Sequence, residues 1–466
     1  MVETFSTMYH QLVDNHYDFG TGSWAVANNK IQMKLDQYGE YHPYLVDPKK
    51  SEFSESELTT LKETCLSLSS KNEADISKEL YAQIPHIHYN QQLGYYSDLY
   101  VGHVTEGDFR ANGSSGGFGT WIFKELLANH EIDGVLHIKP SNKPDKLFEY
   151  GISRTVDEII AGAKTKYYPV EYSEVIKTVK QQPGKYAIIG LPSYIMEIRL
   201  LADQDPILKE RIKYTIGLVC GHQKSTKFAE FLAWQCGIQP GDLKTINFRK
   251  KLPDAPASQY AIEVTGTING EEKSIVKPMK ELVGRDWGEA LFKVRASDFT
   301  DDVMNETADV TLGDAWLPEY TSDSKGNNVI IVRHPVIKAI IEAGIKDGKV
   351  KVDKVDAATI FRSQSSHYRH TRVELGYRLY KQIKAGHWVP QKRTQPSKNF
   401  PWHRRKIQDE REAICLKVPE MYLKAVAKND LNYFLQEIKP LRNAYQKLYR
   451  NIHRVKRVTQ LLHLKK

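Results

Sequence analysis

A chain of 466 residues, 41% hydrophobic and 26% charged, is long enough for two or three folded domains and is neither disordered nor fibrous in composition. It has no apolar run of the roughly 20 residues needed to cross a bilayer, and Met1-Val2-Glu3-Thr4-Phe5 lacks the basic start and apolar stretch of a secretory signal. Four isolated cysteines point to the cytoplasm and against a disulfide framework. Of the net charge of +9, eight come from Arg442, Lys447, Arg450, Arg454, Lys456, Arg457, Lys465 and Lys466, so the near-neutral body excludes a nucleic-acid role.

Residues 1–75 read as a small N-terminal unit. A helical start runs to about His16, a Gly-containing loop spans Asp18–Trp24, and Lys30–Leu35 alternates as a strand should. Ser54–Leu68 has apolar residues at helical spacing, with Ser54 and Glu57 placed as a capping box. Residues 90–360 read as an α/β core, because short strands alternate with helices. The predicted strands are Leu99–Val104, Gly134–Ile138, Tyr186–Gly190, Thr215–Cys220 and Asn328–Val332. The predicted helices are Thr120–Asn129, Tyr194–Ala202, Thr226–Cys236 and Val336–Ala343. A hairpin, Ala261–Thr267 and Lys273–Val276 about Asn269-Gly270, interrupts them. Residues 361–466 turn helical after a basic linker at Lys392–Arg405. Leu441, Tyr445, Leu448, Ile452, Val455, Thr459 and Leu462 fall near one face of the last helix. The fold class is thus α/β (α+β), with a mixed, largely parallel sheet at its core.

Three strand ends hold the candidate chemistry. Asn112-Gly113-Ser114-Ser115-Gly116-Gly117-Phe118-Gly119-Thr120 leaves a strand and enters a helix, where backbone N–H groups and the helix dipole favour a phosphate-like anion. It matches neither a Walker loop nor the GxGxxG fingerprint. Gly190-Leu191-Pro192-Ser193 and Cys220-Gly221-His222 end two further strands, and open α/β sheets bind ligands at such ends. Arg249 is placed to hold a phosphate or to sit solvated on the surface. Ala308–Trp316 reads as a strand closing on Gly313-Asp314. Asp298, Asp301 and Asp302 read as a solvated acidic loop rather than a metal site. Hydrolase motifs are absent.

Ser114-Ser115-Gly116-Gly117, Gly190-Leu191-Pro192-Ser193-Tyr194-Ile195 with Arg199, Gly217-Leu218-Val219-Cys220 and Ala308-Asp309-Val310-Thr311-Leu312-Gly313-Asp314 together resemble the coenzyme F(420) hydrogenase/dehydrogenase beta-subunit family over roughly residues 15–375. The resemblance implies an FAD-binding oxidoreductase core, a ferredoxin-like N-terminal unit and, in many members, [4Fe–4S] clusters. The departures are systematic. The four thiolates of the N-terminal unit align with Gly20, Ser23, Val26 and Lys30. Those of the core align with Ser193, Ser297 and Thr300, leaving only Cys220, with Cys65 as a solitary remnant. Hydroxyls do not replace thiolates on an iron–sulfur cluster, so both cluster sites are expected to be empty and the N-terminal unit to be degenerate.

The retained Gly/Ser loop implies that FAD still binds. The flavin contacts are expected from Asn112, Ser114, Ser115, Gly116, Gly117, Gly119, Thr120, Pro192, Ser193, Arg249 and Asp314. His222 and Lys224 are the catalytic candidates, acting on a small-molecule redox substrate by hydride exchange. No residue singles out the deazaflavin coenzyme F(420) itself. The alternative is a non-catalytic scaffold or regulator that has lost its redox cofactors. Relatives of this kind are linked to surface-polysaccharide biosynthesis, which implies a sugar intermediate as substrate or partner. The basic last helix would lie on an anionic membrane surface, pack on a protein partner, or simply present a solvated basic face.

Overall fold

The structure is a computed structural model that describes residues 4–463, without the side chains of residues 458, 459 and 461–463. Met1–Glu3, Lys465 and Lys466 fall outside the described residues, as do the side chains of Thr459 and Leu462 expected on the last apolar face.

The N-terminal unit holds an antiparallel pair, β1 (Ile31–Leu35) and β2 (Tyr41–Leu45), and helix α1 (Glu55–Glu63). Ser54 accepts from the Glu57 N–H while the Glu57 carboxylate accepts from the Ser54 N–H, so the expected capping box forms. Trp24, Leu61 and Cys65 pack there against Phe299, Leu375 and Leu379, which binds the unit to the rest of the chain.

The core strands follow: β3 (Asp98–Val104), then helix α2 (Phe118–Ala128), β4 (Gly134–Pro140), β5 (Phe148–Ser153), β6 (Tyr186–Gly190), helix α3 (Pro192–Gln204), β7 (Ile212–Leu218) and helix α4 (Thr226–Trp234). A separate three-stranded antiparallel sheet comprises β8 (Leu243–Lys250), β9 (Ala261–Ile268) and β10 (Glu271–Pro278). The remaining core strands are β11 (Val310–Asp314), β12 (Asn328–Val332) and β13 (Val350–Lys354). The chain ends in two long helices, α5 (Trp402–Lys428) and α6 (Leu431–His463), joined at Asn429, which turns the chain with φ +50°.

The main sheet has eight strands in the order β13-β3-β12-β11-β7-β6-β4-β5. It is mixed, as expected, but less parallel than the sequence suggests. The pairings β11–β7, β7–β6 and β6–β4 are parallel, and the four outer pairings are antiparallel. The crossover signal is confined to the centre, where strands alternate with helices. The edge strands β5 and β13 carry Glu149, Lys351, Asp353 and Lys354 and are too polar for an apolar run to mark them.

The central strands are covered on both faces. Tyr186 and Ile188 of β6 point into one core with Ile195, Phe228 and Phe231, whereas Ala187 packs into the other with Trp121, Ile122 and Ile216. That double burial explains why these strands read as unbroken apolar runs. The two terminal helices extend the first core. Phe434 meets Phe231 edge-on with centroids 5.1 Å apart, and Tyr422 is fully buried beside Phe292. Among the described residues no helix is long and apolar enough to cross a membrane.

Asp298, Asp301 and Asp302 do not form a solvated loop. They are 4%, 0% and 0% exposed. Lys293 pairs with Asp298 at 2.5 Å, and Arg393 of the basic linker pairs with Asp301 at 3.1 Å. The cation that compensates Asp301 comes from a distant segment and that of Asp298 from five residues away, so the acidic residues alone mislead here.

Candidate functional site

The carboxyl ends of the four parallel strands converge on a cavity of about 280 Å³. Ile138 of β4, Ile189 and Gly190 of β6, Leu218 of β7 and Leu312–Asp314 of β11 line it. Helical crossovers leave these strand ends open on one edge, the place where α/β sheets bind ligands.

Five of the expected loop residues, Ser114, Ser115, Gly117, Gly119 and Thr120, line this cavity. Gly117 has φ +89° and stands at the N-cap of α2, where it offers no side chain to the first turn and the Phe118 N–H makes a long bond to Asn328 Oδ1 at 3.4 Å. The first turn of that helix, Gly119 and Thr120 included, therefore presents its dipole to the cavity wall. A Cβ on Gly117 would collide with the Phe109 carbonyl at 2.7 Å, and one on Gly116 with the Gly102 carbonyl at 2.6 Å. On Gly119 it would meet only two methyl carbons, at 3.6 and 3.7 Å. Protein packing alone thus does not demand a glycine at 119. Two residues of this loop fall outside the lining: Gly116 is wedged against Gly102 and Asn328, and Asn112 ends a short helix, Phe109–Asn112.

The facing wall is a segment with no periodicity in the sequence, Gly162–Tyr168. The Thr165 N–H donates to Ser114 Oγ at 2.8 Å, closing this segment on the loop. Lys164 holds a left-handed φ of +76°, an uncommon conformation for a side-chain-bearing residue. Lys166 donates to the Ala163 and Lys164 carbonyls at 2.5 and 2.9 Å. Burial and the neighbouring Lys164 charge pull its ammonium down to about 7. Three lysine side chains thus stand by the loop, because Lys251 donates to the Ser115 carbonyl at 3.0 Å.

At another part of the cavity lie His222, Lys224 and Trp287. The His222 ring lies 4.9 Å from that of Trp287, and its Nε2 is buried with no hydrogen-bond partner. Burial and the nearby Lys224 and Lys293 charges hold it neutral, well below the ordinary histidine range. Lys224 is 2% exposed, with Nζ 4.8 Å from the centroids of both Phe228 and Trp287.

Arg249 is neither solvated nor in the cavity. It is 5% exposed, pairs with Asp314 at 2.9 Å and stacks on Tyr260 at 4.3 Å. It reaches the site through Asp314. Pro192 is the first residue of α3, and Ser193 is buried beside it. Neither lines the cavity.

The positions aligned with cluster thiolates have structural duties instead. Gly20 turns against the Tyr41 carbonyl, Ser23 is buried, Val26 enters the main core, and Lys30 pairs with Glu57 at 2.8 Å. Ser297 Oγ accepts the Gln223 N–H at 3.0 Å, and Thr300 is buried. Cys220 and Cys65 remain free thiols, both pushed up by burial away from the thiolate form. Among the described residues no three His, Cys, Asp or Glu side chains gather as a metal site. This donor set does not fit an iron–sulfur cluster, whereas the glycine loop, the helix N-terminus and the lysines fit a flavin pyrophosphate.

Residues 99–177 match the family model described as coenzyme F(420) hydrogenase/dehydrogenase, beta subunit N-term, and residues 184–358 match its C-terminus counterpart. A chain in a solved structure of the F(420)-reducing [NiFe] hydrogenase complex from Methanosarcina barkeri, a xenon derivative, is similar at 16% identity. The likeness covers 65% of this chain and 98% of that one, with a TM-score of 0.48. No curated protein matches the chain.

Proposed function

The chain belongs to the coenzyme F(420) hydrogenase/dehydrogenase beta-subunit family, and from that premise we propose that it is an FAD-dependent oxidoreductase working by hydride transfer without iron–sulfur clusters. One observation supports this reading above the rest. The Ser114–Thr120 loop and the strand ends still enclose a cavity, while the positions of the lost thiolates are occupied by packing and hydrogen bonds.

FAD, when bound, supplies two-electron hydride chemistry that needs no single-electron relay. The chain's own residues do the rest. The N-terminal turn of α2, with Lys164, Lys166 and Lys251 nearby, offsets pyrophosphate charge. Tyr150, Tyr194 and Trp287 supply aromatic wall that excludes water. Lys224 Nζ is a site where a proton is held or released near neutrality, since burial pulls it down to about 7, with Lys293 and Arg411 adding repulsion. The competing reading, a scaffold without cofactor, draws on the same filled thiolate positions. Flavin extraction from freshly purified protein separates them. Stoichiometric FAD supports the redox reading, and protein that is colourless and takes up no added FAD overturns it.

A further inference from the structure

We infer that the His222–Lys224 part of the cavity is an anion subsite that takes the carboxylate of a small-molecule substrate. The inference rests on reading the cavity as the reaction chamber and names the chemistry of what enters it.

The loop after β7 is fixed from behind. Gln223 and Ser225 are bonded to the 292–297 segment, through Val294 N–H to the Gln223 carbonyl at 3.0 Å and Ser225 N–H to the Phe292 carbonyl at 2.9 Å. Lys224 is thereby held in place with Nζ donating to the Leu291 carbonyl at 2.5 Å. Among the described residues no carboxylate pairs with it. The charges around it are mostly positive: Lys293 and Arg411 repel it, while Asp286 and Cys415 act the other way. His222 and His367 stand beside it as neutral rings. Lys293 has its own partner in Asp298, so among the described residues the uncompensated cation in this part of the cavity is Lys224.

A buried ammonium without a counterion, next to a buried imidazole nitrogen without a partner, is an incomplete arrangement that an anion completes. Trp287 and Phe228 flank it, so there are few donors. A carboxylate places one oxygen on Lys224 and one on His222 Nε2, with the neutral ring in the tautomer that carries its proton on that nitrogen. A phosphate would leave further oxygens against aromatic rings without donors. Lys224 is largely neutral at pH 8, so a carboxylate binding there draws a proton onto it.

Full-length protein is titrated with benzoate and with benzamide, at pH 6 and pH 8, by calorimetry in two buffers of different ionisation enthalpy. Benzoate is expected to bind about tenfold or more tightly than its neutral isostere, with uptake of a proton at pH 8 and little at pH 6. Lys224→Met is expected to erase the preference, and Lys224→Arg to keep it without the proton uptake. Equal binding of the two probes, no binding of either, or an undiminished preference in Lys224→Met overturns the inference. Should Lys224→Met not fold, the wild-type proton uptake and Lys224→Arg decide it alone. Flavin content of the wild-type protein is measured separately, so this inference and the redox reading can fail independently.

Discussion

Arg442, in the last helix, donates from Nε to the fully buried carboxylate of Glu289 at 2.8 Å. Glu289 closes the short helical turn that begins at Trp287, a wall of the cavity. Tyr445 packs on Gly288 in the same turn, and Arg411 of α5 donates to its carbonyl. The early part of the basic tail is therefore a structural buttress for the site, whatever its later residues do.

Arg442→Ala should cost about 3 kcal/mol or more of stability, because it leaves a buried carboxylate with Gln446 as its remaining side-chain partner. Denaturant melts of wild type and variant measure this. A loss near zero would mean that Glu289 is not closed off from water.

Gly119→Ala separates packing from ligand. Its Cβ has room, and alanine is better than glycine inside a helix by up to about 1 kcal/mol. The variant should melt no lower than wild type yet retain less FAD. Gly117→Ala should be destabilised by more than about 1 kcal/mol, given its φ of +89° and the Phe109 carbonyl in the path of a Cβ. Thermal melts with flavin extraction read both.

Glu197 ties α3 to the N-terminal unit by accepting from Thr21 Oγ1–H and, at 2.9 Å, from the Leu66 N–H. Burial raises its pKa to about 7 from 4.5, against the lowering effect of those bonds. The native state therefore keeps the proton through a range where the unfolded chain releases it. Its destabilising contribution is absent below pH 4.5, grows between 4.5 and 7, and is complete above 7, where it amounts to roughly 3 kcal/mol. Glu197→Gln should gain stability over wild type at pH 8 and almost none at pH 4.5. A gain independent of pH would show that folding leaves the Glu197 pKa unshifted.

Ser193→Cys, Ser297→Cys and Thr300→Cys, introduced together, should restore a four-thiolate set with Cys220 and allow reconstitution with iron and sulfide. Iron and acid-labile sulfide assays on the folded variant check this. A folded variant that binds neither would mean these positions are not the thiolate positions of the family.

The central strands and their crossover helices were legible because double burial writes apolar runs and helical periodicity into the chain. The Ser114–Thr120 loop was legible because a left-handed N-cap at Gly117 and close packing at Gly116 select small residues. The wall at Lys164–Lys166 was not, since its shape comes from carbonyls and a contact with Ser114 that no periodicity encodes. Arg249 read as ambiguous because its burial depends on Asp314 and Tyr260, far away in sequence. The same separation disguised Asp301, whose partner Arg393 lies in the linker.

The absorbance spectrum of freshly purified full-length protein, taken with its iron and sulfide content, tests the central claim most directly. The account predicts the two bands of oxidised flavin, one FAD per chain on extraction, and neither iron nor sulfide. Stoichiometric iron and sulfide, or a colourless protein that takes up no added FAD, would contradict it.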